Sequence, residues 1–224
     1  MELKPFPVDP QVMASISPMG AGDTRAVADL HHAAMGTSLW AQLGRPFLAG
    51  LYGCLLEDPA FIAFVYREEG EIRGFIAGSE DVGQVYRRTV RRHFPRLVYL
   101  TLSGLRHHPR VVRRLFQTAR YFQVSAVDPE VEKIKAESLF CSFAPQLRGK
   151  RISGHINKVL FDELRYRGHT HVKITTETNN EGAIRQLESW GFERRGTFSF
   201  YGKDMVAYVL DLVACPRVEA IRRM

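Results

Sequence analysis

AESLFCSFAPQLRGKRIS, running from Ala136 to Ser153, is the stretch whose reading decides the fold. Glu137 to Phe143 has the apolar and aromatic content of a strand, and Ala144-Pro145 ends it, because proline cannot donate to a ladder. A short turn follows, and Arg148-Gly149-Lys150 opens a helix predicted to run to Gly168. Its apolar residues Ile152, Ile156, Val159, Leu160 and Leu164 fall on one stripe. A helix N-terminus presents unpaired N–H groups and partial positive charge, which suits a phosphate. Gly149 lets a ligand approach the backbone, while Arg148, Lys150 and Arg151 add charge. From the residues alone this is either a pyrophosphate cradle or an ordinary basic first turn on a surface helix.

Downstream, His171 to Thr176 reads as a strand and Asn180 to Trp190 as a short helix bearing Ala183, Ile184 and Leu187, stopped by Gly191. Phe192–Tyr201 and Met205–Leu212 make a closing hairpin around Gly202. Upstream, Phe61–Tyr66 and Ile72–Gly78 form a hairpin about Glu68-Glu69-Gly70-Glu71. Ser38–Leu56 is read as one helix with Leu43, Phe47, Leu51 and Leu55 four apart, and Asp23 as the N-cap of a helix carrying Ala26, Val27, Leu30 and Ala34. Val12–Ile16 is read as a first strand after a loose, proline-rich lead-in over residues 1–11. Strands alternating with helices predict a mixed α/β layer, a central sheet flanked by helices, in one domain spanning 1–224.

Composition narrows the class. Hydrophobic residues make up 45% of 224, enough for a sizeable core. No apolar run approaches a membrane span, and the start Met1-Glu2-Leu3-Lys4-Pro5 has no signal-peptide stretch. Cys54, Cys141 and Cys215 lie far apart and in no metal-ligand spacing, so neither a disulfide framework nor a metal site is expected, and a cytoplasmic location is. The net charge of +7 is concentrated: residues 84–123 hold ten arginines and no Asp, Glu or Lys. Pro95 and Pro109 are expected to divide this helical insertion, between the third and fourth strands, into three pieces.

The segment resembles the acetyl-CoA motif of the GNAT superfamily of N-acetyltransferases. There a strand ending near V-x-P leads into R-G-x-G-x-G/A and a helix; here Phe143-Ala144-Pro145 precedes Arg148-Gly149-Lys150-Arg151-Ile152-Ser153. A second family pattern, N-x-x-A-x-x-x-Y-x-x-x-G-F, is matched by Asn180, Ala183, Gly191 and Phe192, with Leu187 where the tyrosine stands. Ile16-Ser17-Pro18 through Asp23 to Leu30-His31 is similar to the usual first strand and helix. The resemblance covers nearly the whole chain outside the arginine-rich insertion. It departs at Arg151 and Ser153, which replace glycines, and at Leu187, which replaces the usual acid.

The resemblance implies a GNAT fold and direct attack of a primary amine on acetyl-CoA, without a metal. The loop Arg148 to Gly154 would hold the pyrophosphate through backbone N–H groups, with Gly154 restoring flexibility lost at Arg151 and Ser153. The strand would part from its neighbour so that the backbone of Cys141 and Phe143 meets the pantetheine arm. Asn180 would contact CoA or cap its helix, roles that are compatible. At pH 7 only about one lysine-type amine in 2,500 is neutral, so a base helps. Glu137 is the candidate, with Glu177 second; each is equally readable as a solvated strand-end carboxylate. Tyr201 is the candidate replacement acid. Cys141 as a side chain reads as a small buried residue rather than a nucleophile, and His31-His32 as surface residues. The expected acceptor is a small, anionic amine; a protein lysine or N-terminus, or CoA binding without catalysis, are the alternatives. The arginine insertion reads as a lid over an anionic substrate, a patch for an anionic membrane surface, or a cap that makes a homodimer contact. Nucleic acid is disfavoured because stacking aromatics are sparse.

Overall fold

The computed structural model describes residues 3–36, 38–107, 129–147, 149–200 and 202–224. Arg148, Tyr201, Pro109 and the rest of the insertion beyond residue 107 lie outside the described residues.

The first element corrects the sequence reading. The amides of Gln11 and Val12 donate to Asp9 Oδ1, and Pro10 occupies the first turn, so Pro10–Ala14 is a helix, α1, rather than a strand. The strand β1 is Ile16–Pro18. Asp23 does not cap the helix that follows it, α2 (Thr24–Met35). Its carboxylate instead accepts from the Gly20 amide and from Arg67 Nη2, at 2.9 and 2.8 Å. The expected long helix is two, α3 (Leu39–Gln42) and α4 (Arg45–Leu55), because Gly44 sits between them at φ +93, a conformation reserved for glycine.

The hairpin of β2 (Phe61–Glu68) and β3 (Glu71–Ser79) is as read, turning through Glu69 and Gly70 with φ of +55 and +81. Phe61, Ala63 and Val65 face one side of the sheet and Ile62, Phe64 and Tyr66 the other, all at most 6% exposed. Helices therefore cover both faces.

Next comes α5 (Val82–His107), two helical pieces joined across a kink at His93, where φ −114 and ψ 20 leave the helical region two residues before Pro95. The division at this proline is as read from the sequence. On its inner side a Cβ at Gly104 would lie 2.5 Å from the Leu43 carbonyl oxygen, so α5 approaches the α3–α4 corner backbone to backbone. After α6 (Pro129–Lys133) comes β4 (Glu137–Phe143), with the boundaries read from sequence. The helix expected from Arg148 begins four residues later, as α7 (Ile152–Tyr166). Then follow β5 (His171–Glu177), α8 (Glu181–Trp190), β6 (Glu193–Phe200) and β7 (Lys203–Asp211).

The seven strands lie in the order β1-β2-β3-β4-β5-β7-β6. All pairs are antiparallel except β4 with β5. Ile156, Leu160 and Leu164 of the α7 stripe are fully buried against one sheet face, together with Trp190 and Phe192. α2, α4 and α5 cover the other face. The far side of α7 buries charge: Lys158 meets Asp162 at 3.2 Å and the Arg217 carbonyl at 3.0 Å. Asp162 also accepts from the Glu219 amide and from Arg223, and Glu163 from the Arg223 amide, which clamps the tail 212–224 onto the helix.

Gly104→Ala should cost about 1–3 kcal/mol in urea unfolding, because the backbone it would strike cannot rotate away. Gly22→Ala, where a Cβ meets nothing within 4 Å, serves as the neutral control.

Candidate functional site

The pairing of β4 with β5 is unusually short. Only Glu137↔Lys173 and Ser138↔Ile174 are in register before the strands part. The cause is local: the β3–β4 ladder shifts between Ala77↔Phe140 and Gly78↔Ser138, leaving Leu139 as an extra residue that bends β4 away.

Beyond the fork, β4 is half bonded. The Ala144 amide donates to the Arg73 carbonyl of β3, at 2.7 Å. Because antiparallel bonding alternates along a strand, Ser142 also addresses β3, while the N–H and C=O of Cys141 and Phe143 point the other way, into the gap. Phe143 itself lies over Gly74, whose Cβ would meet its ring at 2.5 Å. The Ser142 hydroxyl donates to the Leu30 carbonyl at 3.2 Å, tying α2 to this strand.

The gap opens into a cleft of about 340 Å³. Its walls come from β4, from Ile174 to Thr176 of β5, from α7 and α8, and from Ala34 and Met35 at the end of α2. Among the described residues, no charged side chain lines it. Asn180 stands at its edge; its Oδ1 accepts from the Ala183 amide at 3.2 Å, capping α8, and its NH2 has no partner among the described residues. Leu187 is 7% exposed and turns an apolar side chain into the cleft. Asn157, absent from the sequence reading, also lines it, donating to the Ser153 carbonyl at 2.7 Å. A buried asparagine between Ile156 and Val159 on an otherwise apolar stripe was the available signal.

At the end of β4 the chain makes a 3₁₀ turn, Pro145–Leu147, and reaches the loop before α7. Gly149 has φ +82 and Arg151 φ +57, so two residues of this loop are left-handed. For arginine this costs about 1 kcal/mol, and it is the conformation a glycine would adopt freely. The amides of Lys150 and Gly154 are spent on the carbonyls of Leu147 and Arg151. Those of Arg151 and Ser153 have no acceptor among the described residues. A left-handed residue at a helix start, beside amides unpaired among the described residues, suits an anion. Lys150 is ion-paired with Glu68 at 3.2 Å on the surface, while the Arg151 side chain is exposed. Gly154 does not supply loop flexibility as expected. It lies inside α7, and its missing Cβ makes room for the Phe6 ring, 2.7 Å from where that atom would be.

Glu137 sits in the closed part of the seam, one residue before the fork. Burial raises its pKa, and Lys173 at 3.9 Å pulls it partly back. Glu177, at the end of β5, is bonded to Lys203. Cys141 is exposed to the cleft, contrary to the buried placement expected. Desolvation by its surroundings pushes the thiol up to about 12, which disfavours the thiolate. His31 is also corrected: it is 1% exposed, its Nδ1 lies 2.7 Å from the Tyr52 hydroxyl and its ring 4.9 Å from Phe140. Burial, aided by neighbouring His32, lowers its pKa to about 4. No group of His, Cys, Asp and Glu suited to a metal occurs among the described residues.

Solved structures share this fold. The ribosomal-protein-S18-alanine N-acetyltransferase of Escherichia coli superimposes with TM-score 0.54 at 14% identity, over 88% of this chain and 92% of that one. A Salmonella typhimurium protein assigned as an acetyltransferase and solved with its cofactor acetyl-CoA gives TM-score 0.56 at 14% identity, over 92% and 98%. A Desulfovibrio desulfuricans protein assigned to the GNAT family gives 0.52 at 12% identity, over 88% and 98%. The chain has the GNAT fold. No protein-family model matches the sequence, and no curated protein does. The described part of the arginine-rich segment, up to residue 107, lies in α5, between β3 and β4.

The buried His31 makes stability depend on pH. The unfolded chain takes up a proton near 6.5 and the folded chain only near 4. Stability should therefore fall as pH drops through that window, by up to about 3 kcal/mol from this group. Urea midpoints at about pH 7 and about pH 4 check this, and His31→Gln should lose less stability between them than the parent chain.

Proposed function

We propose that the chain is an N-acetyltransferase that moves an acetyl group from acetyl-CoA to the primary amine of a small, anionic acceptor. The observation that carries this reading is the fork. The backbone of Cys141 and Phe143 faces an open gap, and the loop after this strand carries amides, those of Arg151 and Ser153, without an acceptor among the described residues. An extended donor with an amide-bearing arm and a diphosphate at one end fits these two sets of groups. Gly149, Lys150 and Ile152 shape this loop and the helix start, and Arg148, outside the described residues, is proposed to add positive charge there. Asn180 offers its free NH2 at the cleft edge.

In the reaction the amine nitrogen bonds to the thioester carbonyl carbon, the C–S bond breaks, and the amine proton leaves. Glu137, with its raised pKa, is the proposed base, acting through water from its place below the fork. The departing thiolate is stable enough, with a thiol pKa of roughly 8.5, to leave beside the apolar Leu187 without a strong acid. Tyr201 is the proposed proton donor to it. The anionic character of the acceptor is proposed from α5, which carries six arginines and no carboxylate of its own, two of the six being paired with Asp58 and Glu57.

A protein N-terminal amine is a second reading, favoured by the Escherichia coli neighbour and by a Brucella melitensis one, both named for acetylating ribosomal-protein alanine. Incubation with acetyl-CoA, small amines and short peptides, followed by free-thiol release, separates the readings. Tight CoA binding without turnover on any amine would show instead a fold kept for binding.

Two variants test the roles. Gly149→Val forces a β-branched residue to φ +82 and should weaken CoA binding about tenfold or more in calorimetry, with helix content unchanged. Glu137→Gln should flatten the rise of kcat/KM with pH, since only the carboxylate form accepts the amine proton. An unchanged profile removes Glu137 from the chemistry.

A further inference from the structure

Helix α5 is apolar on two sides, and the core uses only one of them. Leu97, Leu100 and Leu105 turn inward onto the core of α2 and α4. Outward, Val90, Phe94, Val98 and Leu102 succeed one another four residues apart, 46, 59, 40 and 61% exposed, with Tyr99 beside them at 71%. Large apolar side chains exposed singly need no explanation, whereas five gathered on one helix face do. Nothing among the described residues covers them.

The charge on the same helix is of one sign. Residues 82–107 contain six arginines and no carboxylate. Arg88 and Arg92 are held by Asp58 and Glu57. Arg87, Arg91, Arg96 and Arg106 are exposed and have no ion-pair partner among the described residues. An exposed stripe of Phe, Tyr, Leu and Val bordered by unpaired arginines has the character of a helix that lies in a lipid interface. There the apolar side chains enter the acyl boundary and the guanidinium groups meet phosphates. No described helix is long and apolar enough to cross a membrane, so the contact is with its surface.

We propose that α5 docks this protein on an anionic lipid surface, with Phe94, Val98, Tyr99 and Leu102 inserted and Arg87, Arg91 and Arg106 on the headgroups. The inference is independent of the acetyl-transfer reading. Its test measures sedimentation of the full chain with vesicles of phosphatidylcholine, and with vesicles in which half of that lipid is phosphatidylglycerol. Binding is expected on the anionic vesicles only and should weaken as salt is raised. The double variant Phe94→Ser, Leu102→Ser should lose about tenfold or more in affinity. Arg91→Gln with Arg106→Gln should lose about tenfold. All four side chains are exposed, so unchanged melting temperatures are expected and verify folding. The emission of Tyr99→Trp should move to the blue on anionic vesicles alone. Failure to sediment with those vesicles at low salt overturns the proposal, as does binding that the serine variant leaves intact. A lipid-free dimer that the serine variant dissolves also overturns it, and assigns the stripe to a second copy of the chain.

Discussion

The whole architecture turns on a parallel seam two residue pairs long. A strand with neighbours on both sides spends all its backbone groups on them; β4 spends only half of them once Leu139 has bent it off β5. Backbone N–H and C=O groups need partners, and in the cleft those groups face space that no other strand fills. The same divergence sets the other walls. α7 and α8 pack on one face of the sheet at the fork, and the end of α2 closes the other, so the gap passes between layers that are otherwise tightly filled.

Rigidity around that gap is built from ordinary burial. β2 sends alternate side chains to both cores, and α7 sets Ile156, Leu160 and Leu164 against the sheet while its start presents the unpaired amides. Most of the chain thus follows local preference. The exceptions gather near the cleft: a left-handed arginine, a thiol held protonated, a carboxyl held above its ordinary pKa, and an asparagine on an apolar stripe. Local strain and perturbed titration collecting in one place mark a functional region more than a purely structural one.

Much of this was legible in the sequence because it is periodic. The boundaries of β4, the β2–β3 hairpin, the α7 stripe and the Gly191 stop of α8 all follow from alternation, helical spacing or glycine chemistry. What escaped depends on partners distant in the chain. Gly44 breaks a helix whose apolar spacing continues straight across it. His31 is buried because Tyr52, Phe75 and Phe140 close around it, and one helix segment cannot reveal that. The start of α7 shifted to Ile152 because the loop before it winds through two left-handed residues, and basic residues look alike in a loop or a first turn. Gly154 was read as a loop glycine, although its neighbour is Phe6, about two thirds of the chain away.

The tail clamp on α7 has an engineering consequence. Asp162 and Lys158 are almost wholly inside, and Arg223 and the Glu219 amide complete their neutralisation from a segment that holds no strand or helix. Cutting the chain before Arg222 would take Arg223 from a buried carboxylate that Lys158 and the Glu219 amide still hold, a change costing about 1.5–3 kcal/mol. That loss would fall on the very helix whose start carries the unpaired amides. Expression designs should therefore treat the last ten residues as scaffold rather than as trimmable overhang.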